Sequence, residues 1–138
     1  PIVNLRARPG GPLKYIQTLE ATIIATLAEF GLEAQSADRP TGVWVGDAKI
    51  SAMGVKVSRG VTMHGLALNV APDLSYFDYI VPCGMTESRV TSISSLLARD
   101  IQVEQAIPML ARQFGLAFGW EMEWATLEEL EQVPSVPS

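Results

Sequence analysis

The sequence predicts an α/β (α+β) fold, a mixed and largely antiparallel sheet with a few helices packed on it. Three observations carry this. Residues 43–70 hold three apolar runs separated by short turn signals, the pattern of an antiparallel meander. Two flanking segments, 13–30 and 103–118, repeat apolar residues every three or four positions, as amphipathic helices do. The 138 residues are 48% hydrophobic and 18% charged, enough to bury one core and too apolar for disorder over most of the length.

Each element has a local reason. Ile2-Val3-Asn4-Leu5 reads as a short strand, and Pro9-Gly10-Gly11-Pro12 as a loop. Leu13, Ile16, Leu19, Ile23, Leu27 and Phe30 form one helical stripe, which Gly31 is placed to stop. Residues 33–42 are polar and hold Pro40 and Gly42, so they read as a loop. Val43-Trp44-Val45 is the first strand, followed by a tight connection at Gly46-Asp47-Ala48. Residues 49–58 form the second strand, Arg59-Gly60 a turn, and 61–70 the third strand. Leu74, Phe77 and Ile80 suggest a short helical turn, and Pro82-Cys83-Gly84 a compact turn. Residues 86–95 are rich in Ser and Thr, with Val90 and Ile93 among them. Pro108 is tolerated only in a first helical turn, so the second long helix is predicted to start later than its period suggests. Trp120-Glu121-Met122-Glu123-Trp124 alternates as a strand would, and Thr126-Leu127-Glu128-Glu129 fits a capping box loosely. Residues 1–132 read as one domain and the Pro/Ser-rich 133–138 as a flexible tail.

Charge and composition exclude several functions. The net charge of −5 comes entirely from residues 113–138, which hold five Glu and no Lys or Arg. A neutral body with an acidic tail argues against nucleic-acid binding, which needs a basic stripe. No run of about eighteen apolar residues exists to cross a membrane. One cysteine forms no internal disulfide, and one Cys with one His is too few for a typical metal site. The chain opens without Met in an apolar run, as a cut chain would.

Three side chains can carry chemistry. Cys83, between Pro and Gly on a turn, is a candidate nucleophile; the bland reading is a small buried hydrophobe. His64, the one histidine, is more often structural in such a setting, although Cys/His chemistry is a second possibility. Lys49 at a strand start reads as a surface charge, or as an ammonium that favours a thiolate and shuttles protons. Arg6, Arg8, Lys56 and Arg59 could meet an acidic partner but are more often just surface charge. Gly54 and Gly65 interrupt strands, which marks a bulge or a close approach to the backbone.

The ordered set Gly42-Val43-Trp44, Lys49-Ile50-Ser51-Ala52-Met53-Gly54, His64-Gly65-Leu66-Ala67-Leu68-Asn69 and Pro82-Cys83-Gly84 resembles the octanoyltransferase family of lipoate biosynthesis. The resemblance runs from about residue 3 to about 118. It implies a fold like the catalytic domains of biotin and lipoate protein ligases. It implies transfer of an octanoyl group from octanoyl-acyl carrier protein to a lysine of a lipoyl domain, through a Cys acyl-thioester. The implied acceptors are lipoyl domains of 2-oxoacid dehydrogenase complexes and the glycine-cleavage H protein. By the same resemblance Cys83 and Lys49 are catalytic, and Ala52, Met53, Gly54, Gly65, Leu66 and Ala67 form the acyl pocket. His64 is then structural or accessory. No metal, ATP or nicotinamide cofactor is implied, and neither nucleic acid nor membrane is a partner. The implied location is cytoplasmic, or organellar if a targeting peptide precedes residue 1. The family's N-terminal Arg-Gly-Gly-x-x-Thr-x-His-Gly-Pro-Gly-Gln-like motif has no match here. The chain is therefore expected to be the C-terminal part of a longer protein. Two other readings stay open: a non-catalytic or split-enzyme partner that binds acyl groups or lipoyl domains, and a Cys/His hydrolase.

Overall fold

A computed structural model describes residues 1–36, 41–79 and 89–132. One long helix packs against a small sheet, and a second long helix packs chiefly against the first. Helix α1 (Gly11–Glu29) begins two residues earlier than its apolar stripe, because Pro12 fits the first turn. Strands β1 (Gly42–Val45), β2 (Ala48–Ser58) and β3 (Val61–Leu68) form the expected antiparallel meander in the order β1-β2-β3. At the β2–β3 turn, Arg59 (φ +50) and Gly60 (φ +81) are both left-handed, the geometry whose twist matches a two-residue hairpin. A short strand β4 (Arg89–Val90) runs parallel to β2, pairing Ala48↔Arg89 and Lys49↔Val90. The sheet is therefore mixed and largely antiparallel, as predicted.

The core follows the sequence periods in part, since Leu13, Val103 and Ile107 are exposed. Ile23 and Leu27 of α1, Val43, Ile50, Val70, Ile93, Ile101 and Ala106 form one cluster. Val3, Leu5, Tyr15, Leu19 and Phe118 form a second, against which Met53, Val55 and Leu66 of the sheet pack. Two buried threonines of α1 meet the cost of burying a hydroxyl by donating to carbonyls one turn back, Thr22 to Thr18 and Thr26 to Thr22, each at 2.8 Å.

Four expectations are corrected. Residues 2–5 make only a single bridge, Asn4↔Val61, before one 3-10 turn (Leu5–Ala7) that the Asn4 side chain caps. Helix α2 (Ile93–Leu97) arises where no element was expected; Ser92 accepts from the Ser95 N–H at its start, and Ala98 (φ +50) ends it. Helix α3 (Val103–Phe118) starts at Val103 with Pro108 inside it. Pro108 is exposed, so water can serve the carbonyl that its missing N–H leaves unpaired. Residues 120–124 join no ladder among the described residues. They fold back along α3, where a Cβ on Gly115 would meet the Trp120 carbonyl at 2.7 Å and Met122 Cγ at 2.6 Å. Trp120 stacks on Phe118 there, and the Arg8 guanidinium lies 4.5 Å and 4.8 Å from the two ring centres. Helix α4 (Leu127–Glu131) has both halves of the Thr126/Glu129 capping box. The residue range 133–138 lies outside the described residues.

Candidate active site

Small residues on β2 and β3 build a bare strip of backbone. The ladder pairs Ala52↔Ala67 and Gly54↔Gly65, so no large side chain rises from these four positions. The intervening Met53 and Leu66 pack toward the core. The result is an open groove of about 580 Å³ lined by Pro1, Ala52, Met53, Gly54, His64, Gly65, Leu66 and Ala67. The six residues named for the acyl pocket thus lie together, with His64 among them. The two glycines differ. A Cβ on Gly54 would meet nothing within 4 Å, whereas one on Gly65 (φ +149) would meet Pro1 Cδ at 2.7 Å.

Lys49 reaches this face through a β-bulge. Val43 pairs with Ser51 but the next residue, Trp44, pairs with Lys49, so Ile50 is an extra residue in β2. Strict alternation would put Lys49 on the same face as Ser51 and Met53. The bulge lets Ile50 and Ser51 both be buried and turns Lys49 to the opposite face. There its stem fills the space that a Cβ on Gly42 would need, with Lys49 Cε at 2.6 Å and Nζ at 3.3 Å. Gly42 is the partner of Ala52 at the end of the groove. The half-buried ammonium lies 5.1 Å from the centre of the Trp44 ring, a cation–π contact. Among the described residues it has no carboxylate in ion-pair range.

Two residues that carried no assigned role hold this arrangement. Glu20 of α1 accepts from the Gly42 N–H at 3.1 Å, which fixes the backbone under Lys49. Asn69 ties the end of β3 to the segment after β4: its N–H donates to the Ile50 carbonyl at 3.0 Å and its side-chain amide to the Thr91 carbonyl at 3.0 Å. The Thr91 N–H in turn donates to the Lys49 carbonyl at 2.9 Å. Asn69 belongs to the His-Gly-x-Ala-Leu-Asn string, which was its signal in the sequence.

Cys83, with the Pro82-Cys83-Gly84 turn, lies outside the described residues. A 3-10 turn (Leu74–Tyr79) precedes that stretch and β4 follows it. Asp73 caps the 3-10 turn, accepting from the Ser75 hydroxyl at 2.7 Å and the Ser75 N–H at 3.0 Å. Those bonds, the hydroxyl's first, hold the Asp73 carboxyl below its ordinary range. The cap is therefore in place above that range and lost only as the pH falls through the lowered value.

A family model described as the lipoyl protein ligase A/B catalytic domain matches residues 1–115. The chain belongs to this family. Its relatives within the lipoyl protein ligase family include octanoyltransferases. That of Solibacter usitatus is 47% identical over 122 residues, covering 88% of this chain and 54% of that protein. The mitochondrial octanoyltransferase of Arabidopsis thaliana is 42% identical over 120 residues, covering 83% and 51%. The mitochondrial octanoyl-acyl-carrier-protein:protein N-octanoyltransferase of Danio rerio is 46% identical over 114 residues, covering 83% and 50%. The chain spans about half the length of the curated relatives it matches. Among solved structures, lipoate-protein ligase A bound with ATP matches with a TM-score of 0.68 at 18% identity, over 87% of this chain and 52% of that one. Biotin protein ligase from Aquifex aeolicus matches at 0.67 and 15%, over 86% and 50%. These structural likenesses establish the ligase-type fold, and the sequence matches establish the family.

Proposed function

We propose that this chain transfers an octanoyl group from octanoyl-acyl carrier protein to a lysine of a lipoyl domain, with Cys83 as the acyl carrier and Lys49 as its proton partner. The observation that carries the reading is the groove: the residues implied by the octanoyltransferase motifs share one bare strip of backbone, with Lys49 turned toward its Gly42 end by the bulge. The relatives' names support the donor and the reaction. Acceptors would be the lipoyl domains of 2-oxoacid dehydrogenase complexes and the glycine-cleavage H protein.

The chemistry balances. The Cys83 thiolate attacks the donor thioester carbonyl, and the carrier thiol leaves with a proton from Lys49. Thiol-for-thiol exchange is close to neutral in energy, so this step needs no activating nucleotide. The acceptor amine then attacks the Cys83 thioester and loses its proton to the now neutral Lys49. Cys83 leaves as a thiolate beside a restored ammonium, which favours that charged form. The acyl chain lies on the bare strip, where each buried methylene contributes about 0.8 kcal/mol of binding. Cys83 is six residues before Arg89, and a chain that short spans at most roughly 20 Å. Because Arg89–Val90 pairs with Ala48–Lys49, a tether of this length is compatible with a Cys83–Lys49 pairing.

Two relatives are named mitochondrial, so the setting fits a cytoplasm or an organelle that holds lipoyl-domain acceptors. Among the described residues no helix is long and apolar enough to cross a membrane. Mixing the chain with octanoyl-acyl carrier protein and a lipoyl domain should octanoylate the acceptor lysine without ATP, read by the acceptor's mass. Octanoylation only from free octanoate with ATP would instead make this a ligase.

A further inference from the structure

His64 sits inside β3 at φ +62, a conformation that residues other than glycine adopt rarely. The ladder does not slip around it, because Val55↔His64 and Gly54↔Gly65 are successive pairs. An inserted residue therefore does not explain the turn. Gly65 follows at φ +149, so two adjacent strand residues are left-handed. By alternation His64 shares a face with Thr62, which is fully buried, and Leu66, which packs against the core. His64 is nevertheless exposed. Its imidazole makes no hydrogen bond or ion pair among the described residues, so no polar contact of the side chain accounts for the conformation. Strained backbone persists where its surroundings demand it and concentrates at sites of binding and reaction. Both residues line the groove, at the end where Pro1 lies against Gly65.

We propose that His64 is a positioning residue that acts through its backbone. The left-handed turn at 64, continued by Gly65, shapes the β3 wall of the groove for an unbranched acyl chain, and the imidazole takes no part in the chemistry. This rests on the reading of the groove as the acyl site. The turn carries the residue-64 side chain off the core face and presents the backbone of 65–67 bare. A residue that accepts positive φ should then replace histidine, whatever its chemistry. Glycine and asparagine qualify; a β-branched residue is the worst choice.

The test is titration of octanoyl-pantetheine into the ¹⁵N-labelled chain, following the amides of Gly54 and Gly65, with thermal melts of each variant. His64→Gly and His64→Asn should bind within about threefold of the unchanged chain, and folded His64→Val at least about tenfold more weakly. If His64→Val does not fold, His64→Ala takes its place and should bind more weakly than His64→Gly. Loss of binding in His64→Gly and His64→Asn as severe as in His64→Val would assign the role to the imidazole and overturn the proposal. Full affinity in His64→Val would also overturn it. If the unchanged chain shows no shift at Gly54 or Gly65, the acyl-groove reading itself fails, and the proposal fails with it.

Discussion

Replacing Lys49 by methionine should slow acyl transfer by about 10²–10⁴-fold, the usual contribution of a positioned acid–base group, while the chain stays folded. Methionine keeps the apolar stem that fills the space over Gly42, so packing is largely preserved. What is lost is the ammonium, with its contact to the Trp44 ring, worth about 0.5–2 kcal/mol at a half-buried site. Arginine separates the two roles proposed for Lys49. It supplies a positive charge for the Cys83 thiolate but cannot give up a proton. Lys49→Arg should therefore leave Cys83 open to alkylation near neutral pH yet fail to pass the acyl group on. Single-turnover transfer, measured beside thiol alkylation, reads both steps. Transfer by Lys49→Met at the unchanged rate would remove Lys49 from the mechanism.

Gly42→Ala should both destabilise the fold and disable the site, although it adds a single methyl group. The new Cβ would lie 2.5 Å from the Ser51 carbonyl and 2.6 Å from Lys49 Cε, at a φ of +151. A backbone carbonyl cannot swing away as a side chain can. The expected loss is about 1–3 kcal/mol, seen as a lower denaturation midpoint. Lys49 must also move, so transfer should fall in the protein that remains folded. Gly54→Ala is the contrasting change. Its Cβ meets nothing within 4 Å, so stability should stay within about 0.5 kcal/mol. It does intrude on the groove floor, so it should weaken acyl binding without changing the melt. Equal stability losses at both positions would mean that the groove is an ordinary packed surface.

The parts of the fold that repeat were legible in the sequence. The stripe from Leu13 to Phe30 and the three runs between Val43 and Leu68 have periods that only one kind of element satisfies. Ambiguity entered where one pattern serves two structures. Trp120, Met122 and Trp124 alternate in sequence although they join no ladder among the described residues, so alternation alone did not distinguish a strand from a segment lying beside α3. Helix α2 is five residues long, too short to show a period, and its one signal is the Ser92 cap. Pro108 misled because the rule against interior proline weakens when the freed carbonyl faces water.

The residues that line the groove were named from the sequence as residue types, but the groove's shape was not legible. The bulge at Ile50 leaves no trace in Lys49-Ile50-Ser51, since an inserted residue changes which face each side chain takes without changing its type. The left-handed backbone at His64 is likewise invisible in the sequence beyond the glycine that follows it. Both features depend on strand pairing, which a single sequence does not display. Cys83 lies outside the described residues, so its candidacy as nucleophile and its link to Lys49 rest on the sequence and the motif order alone.

Mass spectrometry after incubation with octanoyl-acyl carrier protein tests the central claim most directly. The proposed mechanism predicts a mass gain of one octanoyl group, carried on the peptide containing Cys83, discharged by hydroxylamine and absent in Cys83→Ala. An octanoyl adduct of the same yield in Cys83→Ala, or transfer to the acceptor with no Cys83 thioester at any time, would contradict it.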